Sequence, residues 1–232
     1  VSSVFFAKRD VPRGWSTVTA VADMAYGFHQ MSRDKRNKKV LVKWTKDGGL
    51  REEDVESLLP GEWYFDRAID KYMDLLQTLS GRTHHKCVFL ETVFYQNLMA
   101  KMGGRKRSWK DRHATQGAPF TLDLDTTHPQ AKIFIPVILN RNHFILLFVD
   151  NQKHTVYSLD SAGFARKPQR QNILNWVEQE HSAKNVRFNK EEWKTEAMEC
   201  PEQENNFDCG PFTCLFMAFL SHGKRLLFTQ ND

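Results

Sequence analysis

The chain has 232 residues, 41% of them hydrophobic, and a mild formal net charge of +5. This is the composition of an ordinary globular protein, long enough for one large core or for one domain with a modest extension. Only four cysteines occur (Cys87, Cys200, Cys209 and Cys214) and no apolar run approaches ~20 residues, which excludes a disulfide scaffold and a helical membrane span. The cysteines form no CxxC pair and no Cys/His grouping of zinc type, so no metal or cofactor is expected. A reducing compartment, nucleus or cytoplasm, follows from the same cysteine usage. The opening VSSVFFAKRD lacks the layout of a secretion signal, and without an initiator Met the sequence reads as an excised fragment. Two basic clusters, 33–39 and 105–112, lack the aromatic interleaving of a nucleic-acid-binding strip and read as solvated loops.

In chain order, 18–31 has the apolar spacing of a helix and 40–44 (VLVKW) that of a strand. The turn Asp47-Gly48-Gly49 then separates an N-terminal extension, 1–45, from a domain over 46–232. A short helix is predicted over 51–59, stopped by Pro60-Gly61. Next comes a helix over 63–79 with Ile69, Tyr72, Met73, Leu76 and Leu79 on one face. An apolar run at 87–90 leads to a helix over 92–102 that ends at Gly103-Gly104. Residues 132–150, KIFIPVILNRNHFILLFVD, contain two β-rich runs joined by Asn140-Arg141-Asn142, a hairpin with His143 at the start of its second strand. A strand over 155–159 ends at Asp160, a helix is predicted over 173–180, and a further strand over 186–188. Residues 210–222 are apolar nearly all round and predict a buried central helix, with Pro211 in its first turn and Gly223 at its C-cap.

The chemistry concentrates in PEQENNFDCG, 201–210. Cys209 lies between an acid and a glycine, just ahead of the buried helix, where the positive end of a helix dipole favours thiolate over thiol. Gln203 brings an amide donor for an oxyanion forming beside that sulfur. A thiolate that transfers acyl groups also needs a base and an acid to orient it. His143 and Asp160 fit, because adjacent strands lie about 5 Å apart and the two side chains can meet at one sheet edge. Each residue has a plainer reading. Cys209 can be a small core residue, as Cys214 is expected to be; His143 can be structural; Asp160 can be a turn former; Gln203 can be a loop amide.

The order His143, Asp160, Gln203, Cys209, with these spacings, resembles the ubiquitin-like-protein proteases that process SUMO and related modifiers, a family akin to the adenovirus protease. LLPGEWYFDRAIDKYMDLL is similar to the family's Trp block and the helix after it, CVFLETVFYQNL to its Phe-rich strand and helix, and KIFIPVILNRNHFILLFVD to the strand leading to its His. YSLDS resembles its Asp strand and PEQENNFDCGPF its Cys block. The resemblance runs from about residue 49 to the end of the chain. It implies an α+β fold of the papain-like, adenovirus-protease-like kind: a central mixed sheet flanked by helices, with a buried helix carrying the nucleophile. The chain departs from the family at Phe144, where Trp usually follows the His, at Tyr64-Phe65 in place of Leu-Asn, and at Glu202 in place of the first Gln.

The resemblance implies that Cys209 attacks the carbonyl of a modifier's C-terminal glycine, that His143 protonates the leaving lysine amine, that Asp160 orients His143, and that Gln203 and the Cys209 N–H hold the oxyanion. Trp63 and Phe144 would wall a tunnel for the diglycine tail, with Asp66 beside it. The implied partner is a ubiquitin-like modifier of SUMO or Nedd type and its conjugates, with neither nucleic acid nor membrane involved. The same catalytic order leaves three rivals: an acetyltransferase of the same clan, a viral-type protease that cuts ordinary chains, and a non-enzymatic modifier-binding module. The set of four residues argues against the last, since binding alone needs no thiolate.

Overall fold

The structure, a computed structural model, describes residues 50–80, 86–103 and 124–230. The elements expected over 18–31 and 40–44, and both basic clusters, lie outside the described residues.

The helices and strands, in chain order, are α1 (Glu52–Glu56), α2 (Asp66–Ser80), β1 (Lys86–Phe89), α3 (Phe94–Met102), β2 (Ala131–Leu139), β3 (His143–Asp150), β4 (Thr155–Leu159), α4 (Lys167–Ala183), β5 (Lys194–Ala197) and α5 (Cys209–Ser221). The strands form one mixed sheet in the order β1-β2-β3-β4-β5. β2, β3 and β4 are antiparallel, and β1 and β5 join the two edges in parallel. This is the α+β architecture expected.

β3 reads as unbroken hydrophobic sequence because both sheet faces are covered. Phe144, Leu146 and Phe148 point into a core shared with α5 and α2, where Ile69, Tyr72, Met73, Leu76, Phe212, Phe216 and Met217 are buried. Ile145, Leu147 and Val149 point the other way, into a core with Phe94, Leu98, Ile173 and Trp176 of α3 and α4. Three of the chain's phenylalanines serve the register. Phe89, Phe134, Phe148 and Tyr157 are paired neighbours across β1 to β4, and their rings stack at 4.7, 5.0 and 5.8 Å. Pro136 lies past the last residue of β2 that pairs with β1, so its missing N–H costs that pairing nothing.

Helix ends differ from expectation by a few residues. α1 stops at Glu56 rather than 59, α2 starts at Asp66 rather than 63, and α4 begins at Lys167, six residues before the apolar spacing becomes legible. Gly223 has a φ of 67° just past α5, the left-handed conformation that closes a helix. The strand expected over 186–188 does not form. Phe188 instead packs its ring on His181 and Trp193 at 5.3 and 5.4 Å, beneath the end of α4. The fifth strand is KTEA, Lys194–Ala197, an exposed edge that pairs with β4.

Candidate active site

The hairpin turn, the end of β4 and the start of α5 meet at one end of the sheet. Asn140 and Arg141 take φ values of 50° and 65°, and the Asn142 N–H closes the turn on the Leu139 carbonyl at 3.1 Å. That turn delivers His143 opposite Leu139. Asp160 follows β4 directly. Its Oδ1 lies 2.7 Å from His143 Nε2, and the two side chains are 20% and 1% exposed. With Nε2 so engaged, Nδ1 is the nitrogen left to face Cys209, whose side chain also acts on the ring. The three side chains proposed from sequence thus meet in space.

The charges follow from these contacts. The Asp160 hydrogen bond first, and the Cys209 contact second, hold the imidazole in its charged form against burial, and raise His143 from 6.5 to about 9. Burial alone would raise Asp160. Hydrogen bonds from His143, from the Ala162 N–H at 2.9 Å and from Arg166 outweigh it and lower the carboxyl below its ordinary value. At neutral pH the pair is therefore imidazolium beside carboxylate.

Cys209 is the first residue of α5 and only 2% exposed. The helix starts there because the Phe212 N–H reaches back to the Asp208 carbonyl at 3.0 Å and Pro211 suits the first turn. The loop ahead of it is pinned throughout. The Gln203 N–H donates to the Ser161 carbonyl at 2.8 Å, and the Ser161 hydroxyl donates to Gln203 Oε1 at 2.6 Å. With that oxygen occupied, Gln203 Nε2 turns the other way. It gives one N–H to the Asn205 carbonyl at 2.5 Å, and the amide has a second N–H to donate. Asn205 Oδ1 accepts from the backbone of Phe207 and Asp208 at 3.1 and 3.0 Å, while its Nδ2 and the Gln230 amide donate to the Asp208 carboxylate.

The expected substrate contacts divide. Trp63 is 40% exposed, so it is not a core residue at a helix start, and Phe65 beside it is exposed too. Asp66 sits at the surface as the first residue of α2, accepting the Arg67 N–H at 2.8 Å. Phe144 does not offer an open face. It is 4% exposed and belongs to the same buried core cluster as Cys209, so it does not face Trp63 across open space. The alternation of β3 that puts Leu146 and Phe148 in the core does the same to Phe144.

Several residues here escaped sequence reading. Ser161 carries no signal of its own in the sequence, yet its hydroxyl orients the Gln203 amide. Asn205 had a visible signal, since Asn three residues before an acid at a helix start favours an Asx turn. Tyr64 gave none. It fills the space over Gly210, where a Cβ would lie 2.6 Å from Tyr64 Cβ and 3.0 Å from its Cγ. Gly210→Ala is therefore expected to lose about 1–3 kcal/mol in urea unfolding and to weaken the site as the start of α5 moves. Adding Tyr64→Ala leaves the Cβ in place and should not restore it. Among the described residues no group of three or more His, Cys, Asp or Glu side chains is placed to hold a metal ion, and no helix is long and apolar enough to cross a membrane.

Comparison with known proteins places this geometry in context. Residues 62–232 match the Ulp1 protease family, C-terminal catalytic domain. The chain is 28% identical over 210 residues to the putative ubiquitin-like-specific protease 1B of Arabidopsis thaliana, covering 85% of this chain and 59% of that protein. It is 30% identical over 186 residues to sentrin-specific protease 2 of Rattus norvegicus, covering 77% of this chain and 29% of that protein. The chain thus spans less than two thirds of either relative. In fold it is similar to the yeast Ulp1 protease domain solved in complex with SMT3, the yeast ortholog of SUMO, with a TM-score of 0.60 at 20% identity over 100% of this chain and 92% of that one.

Proposed function

The chain belongs to the Ulp1 protease family, and from that membership and the site geometry we propose that it is a cysteine isopeptidase acting after the C-terminal diglycine of a ubiquitin-like modifier, SUMO foremost. The observation that carries this reading is a single imidazole bonded to the Asp160 carboxylate at 2.7 Å and acted on by Cys209 at the start of the buried helix.

In the proposed reaction Cys209 Sγ attacks the glycine carbonyl as thiolate. The second N–H of Gln203 and the Cys209 backbone N–H take the oxyanion. His143 gives its proton to the leaving lysine amine as the C–N bond breaks, leaving a thioester. The neutral imidazole then draws a proton from water, which attacks the thioester and frees the modifier's carboxylate and the sulfur. No step calls for a metal or cofactor. The near-complete burial of Cys209 supports a substrate that enters as a thin tail, because a residue with a Cβ would need more room than glycine beside it. Trp63 is the proposed cover of that tail, and Asp66 a contact for the modifier's body.

We take the catalytic domain to be 46–232, with 1–45 an extension, and place the protein in nucleus or cytoplasm. The test is a panel of ubiquitin-like modifiers, each with an electrophile at its C-terminus. SUMO should label Cys209 and ubiquitin should not, and Trp63→Ala should slow labelling about tenfold or more while the protein stays folded. Acetyl transfer from acetyl-CoA with no modifier labelling would overturn the proposal, as would rapid cleavage of a short diglycine peptide without the folded modifier.

A further inference from the structure

The Asp160 carboxylate has a partner that orienting His143 does not require. Its Oδ1 is shared by His143 Nε2 and the Ala162 N–H, at 2.7 and 2.9 Å, and its Oδ2 is held by Nε of Arg166. Arg166 stands there against two local preferences. Its φ is 51°, in the left-handed region that a residue with a Cβ seldom adopts. It is also the N-cap of α4, where the dipole end is positive and disfavours a cation, and it makes no side-chain cap bond. Its guanidinium lies 4.7 Å over the ring of Phe164, which is 61% exposed and fixes the arginine from the solvent side. A backbone outlier and a cation at the wrong helix end converge on one buried carboxylate oxygen, and that contact is what offsets both costs.

We infer that Arg166 is a positioning residue of the relay, locking the plane of the Asp160 carboxylate and cancelling its charge. His143, Asp160 and Arg166 then alternate imidazolium, carboxylate and guanidinium. This rests on the proposed pairing of Cys209 with His143. Without the guanidinium, the Asp160 carboxylate would lose its permanent cationic partner. Asp160 would then hold the His143 proton more tightly and make it a poorer donor to the leaving amine.

Other charged or titratable groups surround the pair. Cys209 comes from α5, Cys200 donates its thiol to the Asp160 carbonyl at 3.8 Å, and Glu202 lies beside Gly163. Asp208 caps α5, Arg141 is in the hairpin turn, and Arg170 of α4 donates to the Ser158 hydroxyl at 2.8 Å. Among the described residues, Arg166 is the permanent cation bonded to the Asp160 carboxylate.

The test compares Arg166→Gln, Arg166→Gly and Arg166→Lys. Glycine removes the side chain and also suits the left-handed backbone, so it guards against a variant that fails only by misfolding. The readouts are an NMR titration of the His143 imidazole, turnover of a modifier substrate, and a thermal melt. In Arg166→Gln and Arg166→Gly the His143 titration should move upward by about one unit, with kcat/KM down about tenfold and Arg166→Gly melting no lower than Arg166→Gln. Arg166→Lys keeps the charge, so its titration should stay near that of the unaltered protein while turnover falls. An unmoved titration in Arg166→Gln and Arg166→Gly overturns the inference. So does a downward one, which would mean that Arg166 merely keeps Asp160 in place. The titration needs no turnover, so an upward shift in a protein that processes no modifier would count against the proposed function and leave this inference standing.

Discussion

Cys209→Ala should abolish turnover, by roughly 10⁶-fold if this site behaves as other acyl-transfer sites do when the nucleophile is lost. The fold should persist, because the change only trims a small side chain at the first turn of α5. The variant should still bind the modifier, and an electrophilic modifier should no longer label it. The other cysteines cannot stand in. Burial pushes the Cys87 and Cys200 thiols up to about 11, and raises Cys214 further, so all three stay protonated at neutral pH. Cys209 is the thiol that meets the His143 ring. Cys209→Ser should be inactive too, since a hydroxyl is far harder to ionise than a thiol. Residual labelling in Cys209→Ala that disappears on further mutation of Cys200 would show the nucleophile to be wrongly assigned.

Much of the fold is legible because its parts announce themselves locally. KIFIPVILNRNHFILLFVD is two β-rich runs around a polar turn, and it folds as β2, turn and β3 within a residue or two of expectation. The buried helix is legible because it is apolar all round, with proline at one end and glycine at the other. β5 is not, because KTEA has neither alternation nor β-branched bulk beyond Thr195, and pairing with the exposed edge of β4 makes it a strand. At the site, Cys209, His143, Asp160 and Gln203 could be chosen by residue type, and the structure brings the first three together around one ring. What stayed hidden depends on three dimensions. Tyr64 matters because its Cβ lies against Gly210, and Arg166 because a left-handed residue swings its side chain back onto Asp160. Phe144 misled for the converse reason. Its neighbour in sequence is in the site, but the strand's alternation turns its ring into the core.

Asp160→Ala should cut kcat/KM by about 10²–10⁴-fold and move the pH at which activity is lost. In the unaltered protein the alkaline limit should lie near 9, where His143 gives up the proton that the leaving amine needs. The Asp160 hydrogen bond is the largest cause of that raised value, so its removal should bring the limit down toward 6.5. Stability should follow the same group. A folded-state pKa above the unfolded one means that the His143 contribution is whole below 6.5 and is lost as pH rises through about 9. Asp160 has the opposite sign: its lowered pKa contributes above the unfolded value of 3.8 and is lost as pH falls through the folded one. Urea unfolding of the unaltered protein should therefore show these two groups contributing together between about pH 4 and 6.5, and weakening on either side. In Asp160→Ala the decline between 6.5 and 9 should flatten, because His143 has lost its main partner. A variant that keeps both the alkaline activity limit near 9 and that decline would mean that Asp160 does not set the charge on His143. The relay would then have to be rebuilt around a different acid.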